Sequence, residues 1–288
     1  MRKLSLSAMV ASTGFVLSFA AAGCGGSNSD TDGSGGASGA GGGSGSMAGA
    51  SSNPNLAKFS FFVISVDSVR ELSKSQDGFG GDLRFGETGE GAGLRGADKI
   101  CAAAAEIGMK GAGQKTWRAF LSATSGGPGG GAVNAKDRVG NGPWYDATGR
   151  LIASDLSALL ADRPSDADLA VKNDLPNEFG TPNHCGGGMC ADNHQVLTGT
   201  AADGTLYTGT TPTTDATCND WTSAEPSGHP RAGHSWPRAG SGTNWISAYD
   251  ATGCAPCALA VGSGAEKCVG ATGGYGGFYC LALTQFQL

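Results

Sequence analysis

The sequence predicts a mixed α+β domain with few helices and much loop. The first observation is that 51 of the 288 residues are Gly, well above the usual share of about 7%, and Gly costs a helix about 1 kcal/mol per position. The second is an apolar, strand-like segment near each end of the domain. The third is one alanine-rich amphipathic stretch between them. The Gly residues follow no three-residue period, which excludes collagen.

The first 23 residues have the pattern of a secretory signal peptide. A basic start is followed by an uncharged, apolar stretch from Leu4 to Ala22, which is typical of segments removed on export. The end of this stretch, Ala21 to Cys24, resembles a bacterial lipobox, in which cleavage precedes a Cys that carries diacylglycerol. We therefore expect Cys24 to be lipidated and to anchor the chain in a membrane. Gly25 in place of Asp favours the outer membrane, whereas an ordinary signal peptide with an unmodified Cys24 is the alternative.

The remaining chain divides into a tether and one domain. Residues 24–56 are rich in Gly and Ser and cannot bury enough apolar surface to fold, so we expect a flexible tether that carries a domain at 57–288. The whole chain has 19 Lys plus Arg and 25 Asp plus Glu, a net charge of −6. No basic run is present, so we expect no nucleic-acid partner.

The first half of the domain is predicted to form strand, helix and strand. The apolar pattern predicts a strand over Lys58–Val66, a helix over Gly93–Gly108 and a strand over Thr116–Ser122. One helix face is apolar and consists of Ala97, Ile100, Cys101, Ala104 and Ala105. We expect Cys101 on this face to tie the helix to the core.

The second half is predicted to contain more loop and short strands. The expected elements are a hairpin over Pro143–Ala153, a short helix capped by Ser154, a loop over 165–188, a strand pair over His194–Thr200 and Gly204–Tyr207, and a closing strand over Gly277–Leu283. Alternation places Phe278, Cys280 and Ala282 on one face of the closing strand, and Tyr279, Leu281 and Leu283 on the other. We expect the first and last strands to pair.

Several segments together resemble the endostatin domain of collagens. They are Gly93-Leu-Arg-Gly-Ala-Asp98, Cys101 with its alanine-rich helix, Thr116-Trp-Arg-Ala-Phe-Leu-Ser122, Cys218-Asn-Asp-Trp-Thr-Ser-Ala-Glu-Pro226, and the closing Cys268 and Cys280. The resemblance extends to endostatin-like domains of bacterial surface lipoproteins through Thr198-Gly-Thr200 and Asp203-Gly-Thr205. It implies a C-type-lectin-like fold, with a twisted antiparallel sheet, two short helices, long loops and disulfides.

The same resemblance implies part of a disulfide framework. The family pairs its first Cys with its last and nests a second pair inside, which gives Cys101–Cys280 and Cys218–Cys268. The four remaining domain cysteines are completed most simply by the local pairs Cys185–Cys190 and Cys254–Cys257. Eight Cys allow 105 pairings, so the sequence alone does not choose among them.

Three groups of residues offer possible metal, redox or calcium-dependent sugar sites. His184, Cys185, Cys190 and His194 are soft ligands within eleven residues and offer a zinc site if the thiols are reduced; a disulfide-closed loop is the alternative. Cys254-Ala-Pro-Cys257 is similar to a redox motif but lacks the βαβ surroundings that such a motif requires. Asn219-Asp220-Trp221 and Glu225-Pro226-Ser227 are similar to altered calcium and sugar motifs of C-type lectins, so a calcium-dependent sugar site stays open.

These observations favour a binding protein over an enzyme. The sequence shows no nucleophile paired with a base and no phosphate loop, so we expect no catalytic residue, no resident metal and no required cofactor. We expect a tethered head that binds an extracellular protein or carbohydrate. Its exposed contacts are expected on a long loop over Pro226–Pro237 and just beyond, since aromatic and Arg side chains are usual binding anchors; they are His229, Arg231, His234, Trp236 and Arg238. A purely structural loop is the alternative for this segment. A metal- or dithiol-dependent enzyme and a structural envelope protein are the alternatives.

Overall fold

The structure is a computed structural model that describes residues 53–184, 193–209, 215–237, 243–259, 266–271 and 273–283. The described residues belong to one compact unit, Ala50–Leu288. The predicted signal peptide, the lipidation site Cys24 and most of the tether lie outside the described residues. Within the described ranges, no helix has both the length and the apolarity that a membrane crossing requires.

The fold contains short strands and few helices, as the Gly content predicts. The strands are β1 (Phe61–Val63), β2 (Trp117–Ala119), β3 (Trp144–Tyr145), β4 (Leu151–Ala153), β5 (Gln195–Leu197), β6 (Arg231–His234), β7 (Tyr249–Asp250) and β8 (Gly274–Ala282). The helices are α1 (Val66–Ser73), α2 (Ala92–Gly108), α3 (Leu156–Leu159) and α4 (Leu169–Asn173), with 3-10 turns at Ala112–Gln114, Pro128–Gly130 and Ala135–Asp137. A further turn at Cys218–Trp221 is left-handed, with positive φ at all four residues.

The closing strand β8 organises the main sheet. It pairs antiparallel with β1 and β2 and parallel with β5, and the sheet continues from β5 through β6 to β7. The expected pairing of the first and last strands is confirmed, with Phe61 opposite Leu281. The sheet is nevertheless mixed rather than purely antiparallel, because β5 runs in the direction of β8. Strands β3 and β4 form a separate hairpin.

Each face of β8 packs into a different apolar core, which confirms the predicted alternation. Phe278, Cys280 and Ala282 join the core that includes α2, whereas Tyr279 and Leu281 join the core on the other face of the sheet. All nine residues of β8 are buried. A strand buried on both faces in this way holds the two halves of the domain together.

Helix α2 approaches its neighbours closely because small residues lie on its inner face. A Cβ at Gly93 would overlap the backbone of the left-handed turn, and a Cβ at Gly96 would overlap the Leu83 carbonyl. Two residues after Gly96, the Asp98 carboxylate accepts two hydrogen bonds from Arg138 at 2.8 and 2.9 Å. It also accepts the Ala119 amide of β2 at 2.9 Å, so α2 is fixed to the sheet by polar contacts as well as by packing.

Among the cysteines that the structure describes, the disulfide framework agrees with the sequence analysis at its outer pair only. Cys101 is bonded to Cys280, which fastens α2 to β8. The other bonds are Cys218–Cys254 and Cys257–Cys268, here named the short disulfides. The expected pairs Cys218–Cys268 and Cys254–Cys257 are therefore wrong, and Cys185–Cys190 lies outside the described residues.

The backbone explains the observed pairing. The amide of Cys254 donates to the carbonyls of Glu225 and Ser227, each at 3.2 Å, which brings Cys254 back to the segment that follows Cys218. Ala255 forms a parallel bridge with Cys268, so the chain places Cys257, two residues further on, beside Cys268. Neither arrangement is visible in the order of cysteines along the sequence.

The shorter elements differ from the predictions in detail. The cap of α3 is Asp155, whose side chain accepts the Ala158 amide at 2.9 Å, rather than Ser154. Helix α4 lies within the segment predicted as loop. The predicted pairing of the 194–200 and 204–207 segments is reduced to one bridge between Thr200 and Leu206, because β5 pairs instead with β6 and β8.

Candidate functional site

The residues predicted as an exposed binding surface lie along β6 and the segments at its two ends. His229 is exposed before the strand, and its Nδ1 lies 3.2 Å from the Ala251 carbonyl oxygen. Trp236 follows the strand and is half-buried. Arg238 lies outside the described residues. The strand therefore separates the predicted contacts instead of presenting them as one loop.

Two of the predicted contacts have structural partners. His234 is 0% exposed, so the expectation that it is an exposed contact is wrong. Arg231 is half-buried, forms an ion pair with Asp250 at 3.0 Å and covers the ring of Tyr207 at 4.3 Å. These contacts arise because β6 is an inner strand of the sheet, between β5 and β7.

The end of β6 that leads to Trp236 carries a group of packed rings. We name it the ring cluster, and its members are His184, His194, His234, Trp236 and Tyr249. His184 stacks on Trp236 with ring centroids 4.0 Å apart, and His194 meets the Trp236 ring edge-on at 5.5 Å. Further inward, His194 contacts His234 at 4.6 Å, and Tyr249 lies 5.1 Å from His234. The cluster thus extends from the exposed His184 to the fully buried His234.

Strand register explains how these rings meet. In the β5–β6 ladder, Gln195 lies opposite His234, and the Ser235 amide donates to the His194 carbonyl at 2.8 Å. Residues on either side of this ladder therefore come together although they are about 40 positions apart in the sequence. Tyr249 joins them from β7, the next strand of the sheet.

Polar contacts hold Trp236 in place. Its Nε1 donates to Asn193 Oδ1 at 3.1 Å, and Asn193 Nδ2 donates to the Asn183 carbonyl. From the other side, the Arg163 guanidinium donates to the carbonyls of His234 and Ser235. An aromatic side chain fixed in this way loses little conformational freedom when it binds a partner.

The electrostatics of the cluster change with depth. Burial lowers the pKa of His194 from 6.5 to about 4, so its imidazole is neutral near pH 7. Burial raises the pKa of Asp174, whose carboxylate accepts the His184 amide at 2.9 Å. The His194 side of the ring cluster is therefore uncharged near neutral pH, and the His184 side has a carboxylate nearby.

The zinc hypothesis receives no geometric support from the described residues. The Trp236 ring contacts the rings of both His184 and His194, and the other two proposed ligands, Cys185 and Cys190, lie outside the described residues. Among the residues that the structure does describe, no three His, Cys, Asp or Glu side chains are arranged to hold a metal ion.

The redox motif is not a dithiol pair in this structure. Cys254 and Cys257 belong to different disulfides, with Cys218 and Cys268 respectively. Cys254 is also 0% exposed, whereas a reactive cysteine requires access to its substrate. The Cys-Ala-Pro-Cys segment therefore has a structural role here.

The altered calcium motif forms part of the left-handed turn. The Asp220 carboxylate accepts hydrogen bonds from the Thr124 hydroxyl at 2.8 Å and from the Ser125 hydroxyl at 2.8 Å. Trp221 is fully buried, and its Nε1 donates to the Ser122 carbonyl at 2.8 Å. These side chains connect the turn to the segment after β2, which accounts for their polar groups.

The sequence analysis singled out four members of the ring cluster but not their association. His184 and His194 appeared as metal ligands, and His234 and Trp236 as exposed contacts. Tyr249 and the supporting Arg163 were missed, because a single Tyr or Arg without a motif around it carries no local signal. Compared with models of known protein families and with curated proteins, the chain gives no match.

Proposed function

We propose that the chain is an outer-membrane lipoprotein whose endostatin-like, C-type-lectin-like head binds an extracellular protein or glycan. The fold part of this proposal is supported by the mixed α+β architecture, the pairing of β1 with β8 and the Cys101–Cys280 bond. The anchoring part is supported by the apolar N-terminus and the Ala21 to Cys24 pattern.

The observation that carries the binding role is the ring cluster. Trp236 is half-buried and His184 is exposed, and the two rings stack at 4.0 Å. Hydrogen bonds from Trp236 and Arg163 hold this surface in one arrangement. Trp is one of the residue types that most often dominate the energetics of a binding interface.

The test is a binding screen of the purified full-length protein against extracellular matrix proteins and a glycan array, with and without a calcium chelator. For the partner found, Trp236→Ala should weaken affinity at least about tenfold, which corresponds to 1.4 kcal/mol. Phe85→Ala is the matched control, since Phe85 is a 38% exposed aromatic residue on a different loop. Equal losses for the two variants, or no loss for Trp236→Ala, would exclude the ring cluster as the contact surface.

The anchoring is tested separately. Cys24→Ala should abolish incorporation of labelled fatty acid and release the chain from the membrane fraction. Protease treatment of intact cells should remove the head if it faces outward. A head that stays protected would instead support the alternative of a structural envelope protein, and stoichiometric metal in the purified protein would support the enzyme alternative.

A further inference from the structure

At the other end of β6, a depression of about 570 Å³ opens beside His229. Its lining consists of Asp215, Pro226, Ser227, Gly228, His229, Thr252 and Lys267. This volume falls within the range of about 300–1,000 Å³ that is usual for sites of small ligands. The depression shares no residue with the ring cluster.

The walls of the depression are fixed by the short disulfides. Asp215 lies three residues before Cys218, Thr252 two residues before Cys254, and Lys267 one residue before Cys268. The Thr252 hydroxyl also donates to the Glu266 carbonyl, which joins two of the walls. A depression built on covalent cross-links is preorganised, so little ordering is required when a ligand binds.

Close packing of Gly228 also indicates that the depression is preorganised. A Cβ at Gly228 would lie 2.7 Å from Cys254 Sγ and 3.2 Å from Asp215 Oδ2. The backbone just before His229 is therefore in close contact with both the Cys218–Cys254 disulfide and the Asp215 carboxylate. Glycine at this position, with φ of +89°, permits an approach that a side chain would prevent.

The lining contains two opposite charges that are not neutralised by each other. Asp215 and Lys267 lie on different walls, and neither forms an ion pair with any residue in the described ranges. Asp215 Oδ1 accepts hydrogen bonds from the Thr217 amide at 3.1 Å and the Thr217 hydroxyl at 3.4 Å, and the Asn219 amide is shared between Oδ1 and Oδ2 at 3.0 and 2.9 Å. Oδ2 keeps capacity for a second donor, since a carboxylate oxygen offers two lone pairs. Lys267 is exposed, and its ammonium has three donors.

Two separated, opposite charges in one preorganised depression favour a ligand with the complementary pair. We propose that the depression binds a short peptide with free termini, whose ammonium group contacts Asp215 and whose carboxylate contacts Lys267. His229 supplies a further polar contact, since its Nδ1 lies 3.2 Å from the Ala251 carbonyl oxygen and its Nε2 is left for the ligand. Glu225 and Glu266 are exposed and directly precede the lining residues Pro226 and Lys267 in the sequence, and their negative charge disfavours ligands that are purely anionic.

The test uses trialanine as the probe, with its N-acetylated and C-amidated forms. Titration of the ¹⁵N-labelled full-length protein should show binding of trialanine, with the Gly228 amide among the shifted signals. Each blocked form should bind about tenfold more weakly, because each lacks one charge-assisted hydrogen bond. No binding of trialanine at millimolar concentration, or equal binding of all three forms, would overturn the proposal.

Variants of the protein test whether Lys267 is the residue that contacts the peptide carboxylate. Lys267→Met should remove the difference between trialanine and its amide while preserving the preference for a free N-terminus. Lys110→Met, which changes an exposed lysine at the end of α2, is the matched control and should change neither preference. If Lys267→Met retains the preference for a free carboxylate, or if the acetylated peptide binds as well as trialanine, the assignment is wrong. Trp236→Ala should leave trialanine binding intact, so this result is separable from the proposed role of the ring cluster.

Discussion

The left-handed turn at Cys218–Trp221 predicts a reversal of the usual preference between Ala and Gly. The four residues have φ of +50°, +52°, +55° and +63°, and a left-handed conformation costs an L-residue about 1–2 kcal/mol. Glycine carries no such penalty but loses more backbone entropy on folding, about 0.5–1 kcal/mol relative to Ala. At Asn219, the exposed member of the turn, Gly should therefore give a more stable protein than Ala by about 1 kcal/mol.

The matched control is an exposed position inside a regular helix. Lys99 lies in α2 and is exposed, and there Ala should be more stable than Gly by about 1 kcal/mol. Both substitutions at each site remove the same native side chain, including the Lys99 contact with Glu87. The comparison therefore isolates the backbone, and the predicted difference between the two sites is about 2 kcal/mol.

The assay is urea unfolding of the oxidised full-length protein, followed by Trp fluorescence, with thiol titration to verify that the disulfides are intact. If the same variants are unfolded by heat instead of urea, a difference of 1 kcal/mol corresponds to about 2–4 °C in melting temperature for a domain of this size. If Asn219→Ala is as stable as Asn219→Gly, the turn is not left-handed. The placement of Asp220 and Trp221 that depends on it would then be wrong as well.

Four other properties of the structure give direct predictions. Because burial lowers the pKa of His194 from 6.5 to about 4, the unfolded chain binds a proton in that interval that the native protein does not. The free energy of unfolding should therefore fall by about 3 kcal/mol as the pH drops through the interval, and His194→Phe should reduce the fall. Trp144 Nε1 is buried with no hydrogen-bond partner among the described residues, whereas Trp221 Nε1 has one, so Trp144→Phe should cost about 1–2 kcal/mol less than Trp221→Phe in urea unfolding. Asp98→Asn should destabilise the protein by about 3 kcal/mol in the same assay, because it leaves the largely buried Arg138 without its counter-charge. Peptide mapping of the oxidised protein should recover the short disulfides, and detection of the nested pairing would contradict the structure.

The parts of the fold that the sequence predicted correctly are those with a local signal. Helix α2 follows from the i, i+3, i+4 spacing of apolar residues around Cys101, and the predicted boundary of Gly93 differs from the observed start by one residue. The two faces of β8 follow from alternation alone, because a strand has a period of two. These signals survive because the local preference and the tertiary packing agree.

Strand β6 could not be predicted because its residues have low strand propensity although the segment lies inside the sheet. Arg-Ala-Gly-His lacks the β-branched residues that favour strands. The structure requires small residues there: a Cβ at Gly233 would overlap the Trp245 carbonyl. Tertiary packing thus requires Gly at a strand position where local propensity disfavours it. As a result, His234 is buried in a segment that the sequence predicts as loop.

The two candidate surfaces differ in how much of them a sequence can reveal. The ring cluster depends on the Gln195–His234 register, and register is a property of non-local pairing that no spacing of His or Trp residues encodes. The depression depends instead on which cysteines are bonded, and 105 pairings are compatible with eight cysteines. The nested Cys218–Cys268 bond would join the segments of Asp215 and Lys267 directly, but it would leave the Thr252 segment closed on itself through Cys254–Cys257. The observed bonds Cys218–Cys254 and Cys257–Cys268 instead link the Thr252 segment to both of the others, so Thr252 is the part of the lining that the expected pairing could not predict.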